Sequence, residues 1–168
     1  MKHRFPSHKV CGAATAATLA LSFAACMLST GMALAQETER PARMKDLPQA
    51  VQTTVREQSR GAAVRGLSIE TENGQTFYEA SLKVKGRVRD VLIDADGNVV
   101  EIEEQVTLAS LPPAARAEIV KQAGKGRILT VESITKNNAI VAYEAHVKTA
   151  GKISEIKVGP DGKPLPPK

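Results

Sequence analysis

Leu47, Ala50, Val51 and Val55 fall at i, i+3, i+4 and i+8, the spacing of one helical face. Leu111, Ala114, Ala115 and Ile119 repeat it. Asp46 and Ser110 stand where N-caps belong. Pro48 and Pro112 fall in first turns, where a missing N–H is harmless, and Gly61 and Gly124 are placed to stop the helices. After each helix the period drops to two. Tyr78, Ala80, Leu82 and Val84 alternate with Glu79, Ser81, Lys83 and Lys85. Val141, Tyr143, Ala145 and Val147 alternate with Ala142, Glu144, His146 and Lys148. Such alternation predicts antiparallel strands with one covered face and one wet face. In the first half the strands are expected at about 64–72, 76–85, 87–94 and 98–106. Asn73-Gly74 and Asn137-Asn138 are hairpin corners, since both residue types accept positive φ.

The pattern occurs twice. "LPQAVQTTVREQ" from Leu47 returns as "LPPAARAEIVKQ" from Leu111, an offset of 64. "FYEASLKVKGRVRDVLIDADG" from Phe77 returns as "AYEAHVKTAGKISEIKVGPDG" from Ala142, an offset of 65. Tyr78-Glu79-Ala80 falls on Tyr143-Glu144-Ala145, and Asp96-Gly97 on Asp161-Gly162. The fold class this implies is α+β, two tandem helix-plus-antiparallel-sheet units over 47–108 and 109–168.

"LIDADGNVVEI", Leu92 to Ile102, has the start of a calcium loop. An EF-hand loop needs oxygen ligands at its first, third and fifth positions and Gly at its sixth. Counting from Asp94, the fifth residue is Asn98 and the sixth Val99; Gly97 comes two positions early. The second copy replaces Asp94 with Gly159 and keeps only Asp161-Gly162. A hairpin turn needs no more than that. The stretch is therefore read as a turn.

"FYEASLKVKGRVRDVLIDADGNVVEIEE" carries a further likeness. Its Tyr-Glu strand, Gly turn and aliphatic strand ending in Asp-x-Asp-Gly-x-Val resemble the PepSY-like domains of bacterial envelope proteins. The second copy is in register with it, and together they span about 47–165. The resemblance implies a helix against an antiparallel sheet, in tandem, similar to the beta-lactamase-inhibitor-protein (BLIP) class, in which two such units present a concave sheet to a partner. PepSY domains also occur in peptidase propeptides, which implies a role in restraining proteases. The family brings no catalytic residues. Pro164, Pro166 and Pro167 depart from the pattern and should cut short the last strand.

The N-terminus changes the picture of charge and compartment. Met1 to Arg4 is basic, Val10 to Met32 is small and apolar, and Ala33-Leu34-Ala35 precedes polar Gln36. This is the pattern of a secretory signal peptide over 1–35, and it places the protein in the periplasm. "SFAAC", ending at Cys26, resembles a lipoprotein box and offers a lipid anchor as the lesser alternative. Residues 36–46 are charged and aperiodic and read as a flexible lead-in. Cleavage after Ala35 removes both cysteines, so no disulfide is expected. It also removes Lys2, Arg4 and Lys9, lowering the formal net charge from +5 to +2. Beyond the leader no stretch is apolar for the ~20 residues a membrane span needs.

Chemistry is sparse. His146 is the one histidine after the leader and reads as a strand histidine on the polar face. It is too little for zinc or for nucleophilic catalysis. Glu101, Glu103 and Glu104 read as a solvated strand face, and Gly124-Lys125-Gly126 lacks the rest of a phosphate loop. No enzyme, metal or cofactor is expected. The candidate binding feature is "KVKGRVR": Lys83, Lys85, Arg87 and Arg89, echoed by Lys148 and Lys152. Such a stripe suits an acidic protein surface or an anionic envelope polymer; lysines on strands also simply block edge aggregation. Nucleic acid is not expected, because no aromatics interleave with the charges. The expected work is binding an envelope protein, with inhibition of a peptidase as one form; a small-ligand or polymer binder is the alternative.

Overall fold

The computed structural model describes residues 38–72 and 74–166. The expected signal peptide, Cys26 and Asn73 lie outside the described residues. All of the described residues fall within one compact unit, Leu34–Lys168.

Strand β1 (Thr38–Pro41) leads to helix α1 (Gln49–Gln58) and strands β2 (Ala63–Glu72), β3 (Gln75–Val84), β4 (Arg87–Ile93) and β5 (Val99–Gln105). Helix α2 (Pro113–Ala123) then precedes β6 (Arg127–Lys136), β7 (Ala139–Thr149), β8 (Lys152–Val158) and β9 (Pro164–Leu165). Among the described residues the nine strands form one antiparallel sheet in chain order, and β5 pairs with β6, so the sheet runs without a break between the two halves.

Both helices cover the same face. Val51 and Val55 of α1 pack with Ala80, Leu82, Val91 and Ile93. Ala115, Ile119 and Ala123 of α2 pack with Val131, Tyr143, Ala145, Val147, Ile156 and Val158. Ile102 beside the first cluster pairs with Thr135, which shares its side of β6 with Val131, so the two clusters lie on one face. Val51, Val55, Leu82, Val91 and Ile93 are each 0% exposed. Each such side chain contributes about 1.5–3 kcal/mol relative to leaving it in water.

The expected caps differ. Asp46 closes a 3-10 turn, Met44–Asp46, where its carboxylate accepts from the backbone and guanidinium N–H groups of Arg43. Ser110 closes a second, Leu108–Ser110, and donates to the Thr107 carbonyl. Pro48 and Pro112 hold the N-cap positions themselves, with extended ψ of 151° and 142°. Gly124 does cap α2, at φ 55°, whereas α1 ends at Ser59, before Gly61.

The Asp-Gly turns are structural. Asp94 accepts from the backbone N–H and side-chain amide of Asn98, which closes the turn. Gly97 has φ 87° and lies against α1: an added Cβ would stand 3.0 Å from the Ala50 carbonyl. Gly162 (φ 81°) repeats this against α2, with a Cβ 2.8 Å from the Ala114 oxygen. The turn thus locks each hairpin onto the first turn of its helix. Thr54 adds a hydroxyl hydrogen bond to the Gly97 carbonyl at 2.6 Å.

Candidate functional site: the uncovered sheet face

Residues paired across the strands share a face, so the register fixes what the uncovered side carries. Glu39 pairs with Glu70, Ser68 with Glu79, and Asp90 with Glu103. Glu132 pairs with Glu144, and His146 with Glu155. None of these points toward the helices.

The face is a trough. One cavity of about 500 Å³ is lined by Glu39 of β1 and by Glu155 of β8. In a flat sheet those strands would stand roughly 33 Å apart, at seven spacings of ~4.8 Å. Accumulated twist and coiling must therefore bring the two ends round toward each other. The lining holds seven glutamates, two threonines and His146, with neither lysine nor arginine.

The curl also explains why residues of the uncovered face are buried. Glu144 is 5% exposed and Ser68 5%. Leu92, Ile134 and Ala142 lie on this same face, yet are 8%, 1% and 2% exposed. Val141 departs the other way. A bulge between Ile134 and Thr135 leaves it out of the ladder and 40% exposed, off the covered side where alternation put it.

Crowded carboxylates raise one another's proton affinity. Glu79 is pushed up to about 8, chiefly by burial, then by Glu70, Asp90 and Glu39. Burial also raises Glu132; His146 opposes this, while Asp90 and Glu144 add to it. His146 Nε2 is 3.6 Å from Glu132 Oε2 and 3.6 Å from Glu144 Oε1, and its Nδ1 is 3.8 Å from Glu155 Oε1. Lys157 Nζ lies 3.5 Å from Glu144 Oε2.

The six basic candidates do not form one stripe. Lys83 and Lys148 lie on the uncovered face, near the ends of β3 and β7. Lys85 sits in the turn itself, at φ 49°. Arg87 and Arg89 pair with Val84 and Leu82, which puts both on the helix side. Arg89 there binds Glu104 through Nη2, 3.1 Å from each carboxylate oxygen. Lys152 pairs with Thr149 at the far hairpin. The strand alternation of Arg87 and Arg89 was legible, but the face was not, because Gly86 and Lys85 turn the chain between the pairs. Glu39, Glu70, Glu79, Glu132, Glu144 and Glu155 were missed as a group. The signal for two of them was present: Glu79 and Glu144 hold the same place in the repeated Tyr-Glu-Ala.

No family model matches the chain, and no curated protein matches it. Solved structures do. A Bacteroides eggerthii protein, provisionally assigned to the periplasm, superposes with a TM-score of 0.59 at 18% identity, covering 71% of this chain and 86% of that one. A DUF2874 family protein from Bacteroides uniformis gives 0.56 at 18%, covering 71% and 86%. A BLIP-like protein from Bacteroides fragilis gives 0.52 at 22%, covering 73% and 85%. These likenesses show a BLIP-like fold, a mostly antiparallel sheet with two helices on it. Among the described residues no helix is long and apolar enough to cross a membrane.

Proposed function

We propose that this is an exported, non-enzymatic periplasmic protein that binds an envelope protein in the trough of its uncovered sheet, restraining a peptidase or another envelope enzyme. The observation that carries the reading is the trough: a continuous face of nine strands, with seven glutamates lining one cavity and Lys83 and Lys148 near the strand ends. A face of that charge favours a basic patch on the partner. The fold, shared with a BLIP-like protein, supports a binding role. Reading the two halves as tandem PepSY-like units rests on the sequence repeat.

Residues 36–168 would be immobilised and exposed to an envelope extract, beside two variants: E39Q/E70Q and K83E/K148E. One stoichiometric partner held by the wild type and lost from either variant is the expected result. Equal or empty captures from all three would sink the reading. A second reading has one observation behind it. Lys85, Arg87 and Arg89 line a separate cavity of about 340 Å³ with Val84 and Glu104, suited to an anionic ligand or polymer. It requires graded, strongly salt-dependent binding that is lost in K85E/R87E.

A further inference from the structure

His146 and its neighbours raise a question that partner binding does not answer. At 3.6 Å, Nε2 is too far from Glu132 and from Glu144 to hydrogen-bond either carboxylate. The imidazole faces the gap between two acids without closing on one of them. Glu144 is 5% exposed, and its Oε2 is a buried atom that accepts no hydrogen bond. Lys157 Nζ stands 3.5 Å from that oxygen, in ion-pair range only, and leaves Oε1 turned toward His146. Glu132 thus stands across from Glu144 on the neighbouring strand, with His146 facing both and Lys157 on the far side of Glu144.

The spacing has a simple interpretation. Nitrogen and oxygen ligands bind zinc at about 2.0–2.2 Å in tetrahedral geometry. Two ligands of one tetrahedral ion then stand roughly 3.3–3.6 Å apart, 1.63 times the bond length. Nε2 meets that separation to both carboxylate oxygens, and the three ligand atoms lie within 4.8 Å of one another. We propose that Glu132, Glu144 and His146 form a binding site for a zinc-like divalent transition-metal ion, with the fourth position open to the trough. Glu155, beside Nδ1, is the positioning residue. Its Oε1, 3.8 Å from Nδ1, is beyond hydrogen-bond reach, but its negative charge favours a proton on that nitrogen and so the tautomer that presents the Nε2 lone pair to the ion. A second acidic group, Glu39, Glu70 and Glu79, offers only oxygen and is more exposed, so it lacks the nitrogen that favours zinc over calcium or magnesium.

This site is independent of the envelope partner, and its test needs none. His146 is the one histidine in residues 36–168, so its ring signals are unambiguous. Untagged, chelator-stripped 36–168 would be titrated at pH 7.2 with zinc alone, then with calcium or magnesium alone. Isothermal calorimetry and nitrogen-15 imidazole NMR would be read together. Expected are one zinc per chain, a Nε2 shift that saturates at one equivalent, and at least roughly tenfold weaker calcium and magnesium binding. H146A should abolish the one-to-one zinc binding, and E155Q should weaken it by roughly tenfold, the lower end for an outer-shell partner. E39Q should leave zinc binding unchanged. Near-ultraviolet and far-ultraviolet dichroism would establish that each variant is folded, and the NMR shift requires no variant at all. A titration that leaves the His146 signals in place overturns the site. So does zinc affinity that is equal in H146A, or that falls as far in E39Q, since either would mean a diffuse acidic field.

Discussion

Glu79 and Glu144 hold the same place in the two Tyr-Glu-Ala strands but meet different company. Glu144 has Lys157 and His146 beside it, whereas Glu79 faces Glu70, Asp90 and Glu39. Its carboxyl, raised to about 8, binds a proton in the folded chain that it has already lost in the unfolded one over pH 4.5 to 8. More protons on the folded state means that stability falls as pH rises. The favourable contribution is complete below about pH 4.5, is lost through pH 8, and is flat beyond. Partial solvation discounts the effect to the order of 1 kcal/mol, or roughly 4 °C in Tm. Thermal melts of 36–168 from pH 5 to 8.5 should show that decline, and E79Q, neutral throughout, should flatten it. An E79Q melt that keeps the full slope would place the effect elsewhere.

The turns make a sharper contrast between elements. Gly86 and Gly97 both have φ near 88°, yet nothing lies within 4 Å of a Cβ at Gly86, whereas Gly97 meets the backbone of α1. Gly86→Ala should cost about 1 kcal/mol, the strain of positive φ alone. Gly97→Ala and Gly162→Ala should each cost about 2–4 kcal/mol, because helix and hairpin must also separate. Urea unfolding separates the cases; equal losses at Gly86 and Gly97 would refute the docking role. The other end of the fold is left open by prolines. Strand β9 has two residues where β5 has seven, and it reaches only Lys157 and Val158, so no described strand pairs with the outer edge of Lys152–Ile156. Hydrogen exchange there should outrun that of Arg89–Leu92, which β5 covers. Helix faces, strand limits and the Asp-Gly turns could be read from the chain because each depends on neighbours a few residues apart. Asp46 and Ser110 misled because Pro48 and Pro112 adopt the extended cap backbone themselves. The BLIP-class resemblance implied a concave sheet, but not which residues line it. His146 meets Glu132 from β6 and Glu155 from β8 through register and curl, which no local pattern records.

At the scale of the whole molecule, net charge and local charge disagree. After the expected cleavage the formal balance is +2, which alone would make stability nearly indifferent to salt. Yet seven of the 18 acidic residues line one cavity that neither lysine nor arginine enters. Their repulsion acts over distances comparable with the Debye length, about 10 Å at 0.1 M salt. Screening should therefore stabilise a chain whose net charge is positive. Raising sodium chloride from about 20 to 200 mM at pH 8.5 should lift Tm by on the order of 3 °C. The gain should shrink at pH 6, where Glu79 keeps its proton and one charge leaves the cluster. Zinc at the His146 site should substitute for salt: the saturated protein should gain less from sodium chloride, since Glu144, one of the repelling carboxylates, then shares a cation with Glu132. A salt response that is flat at pH 8.5, or the same at both pH values, would mean that the acids of the trough are too well solvated to feel one another, and the balance of the whole chain would then govern its stability.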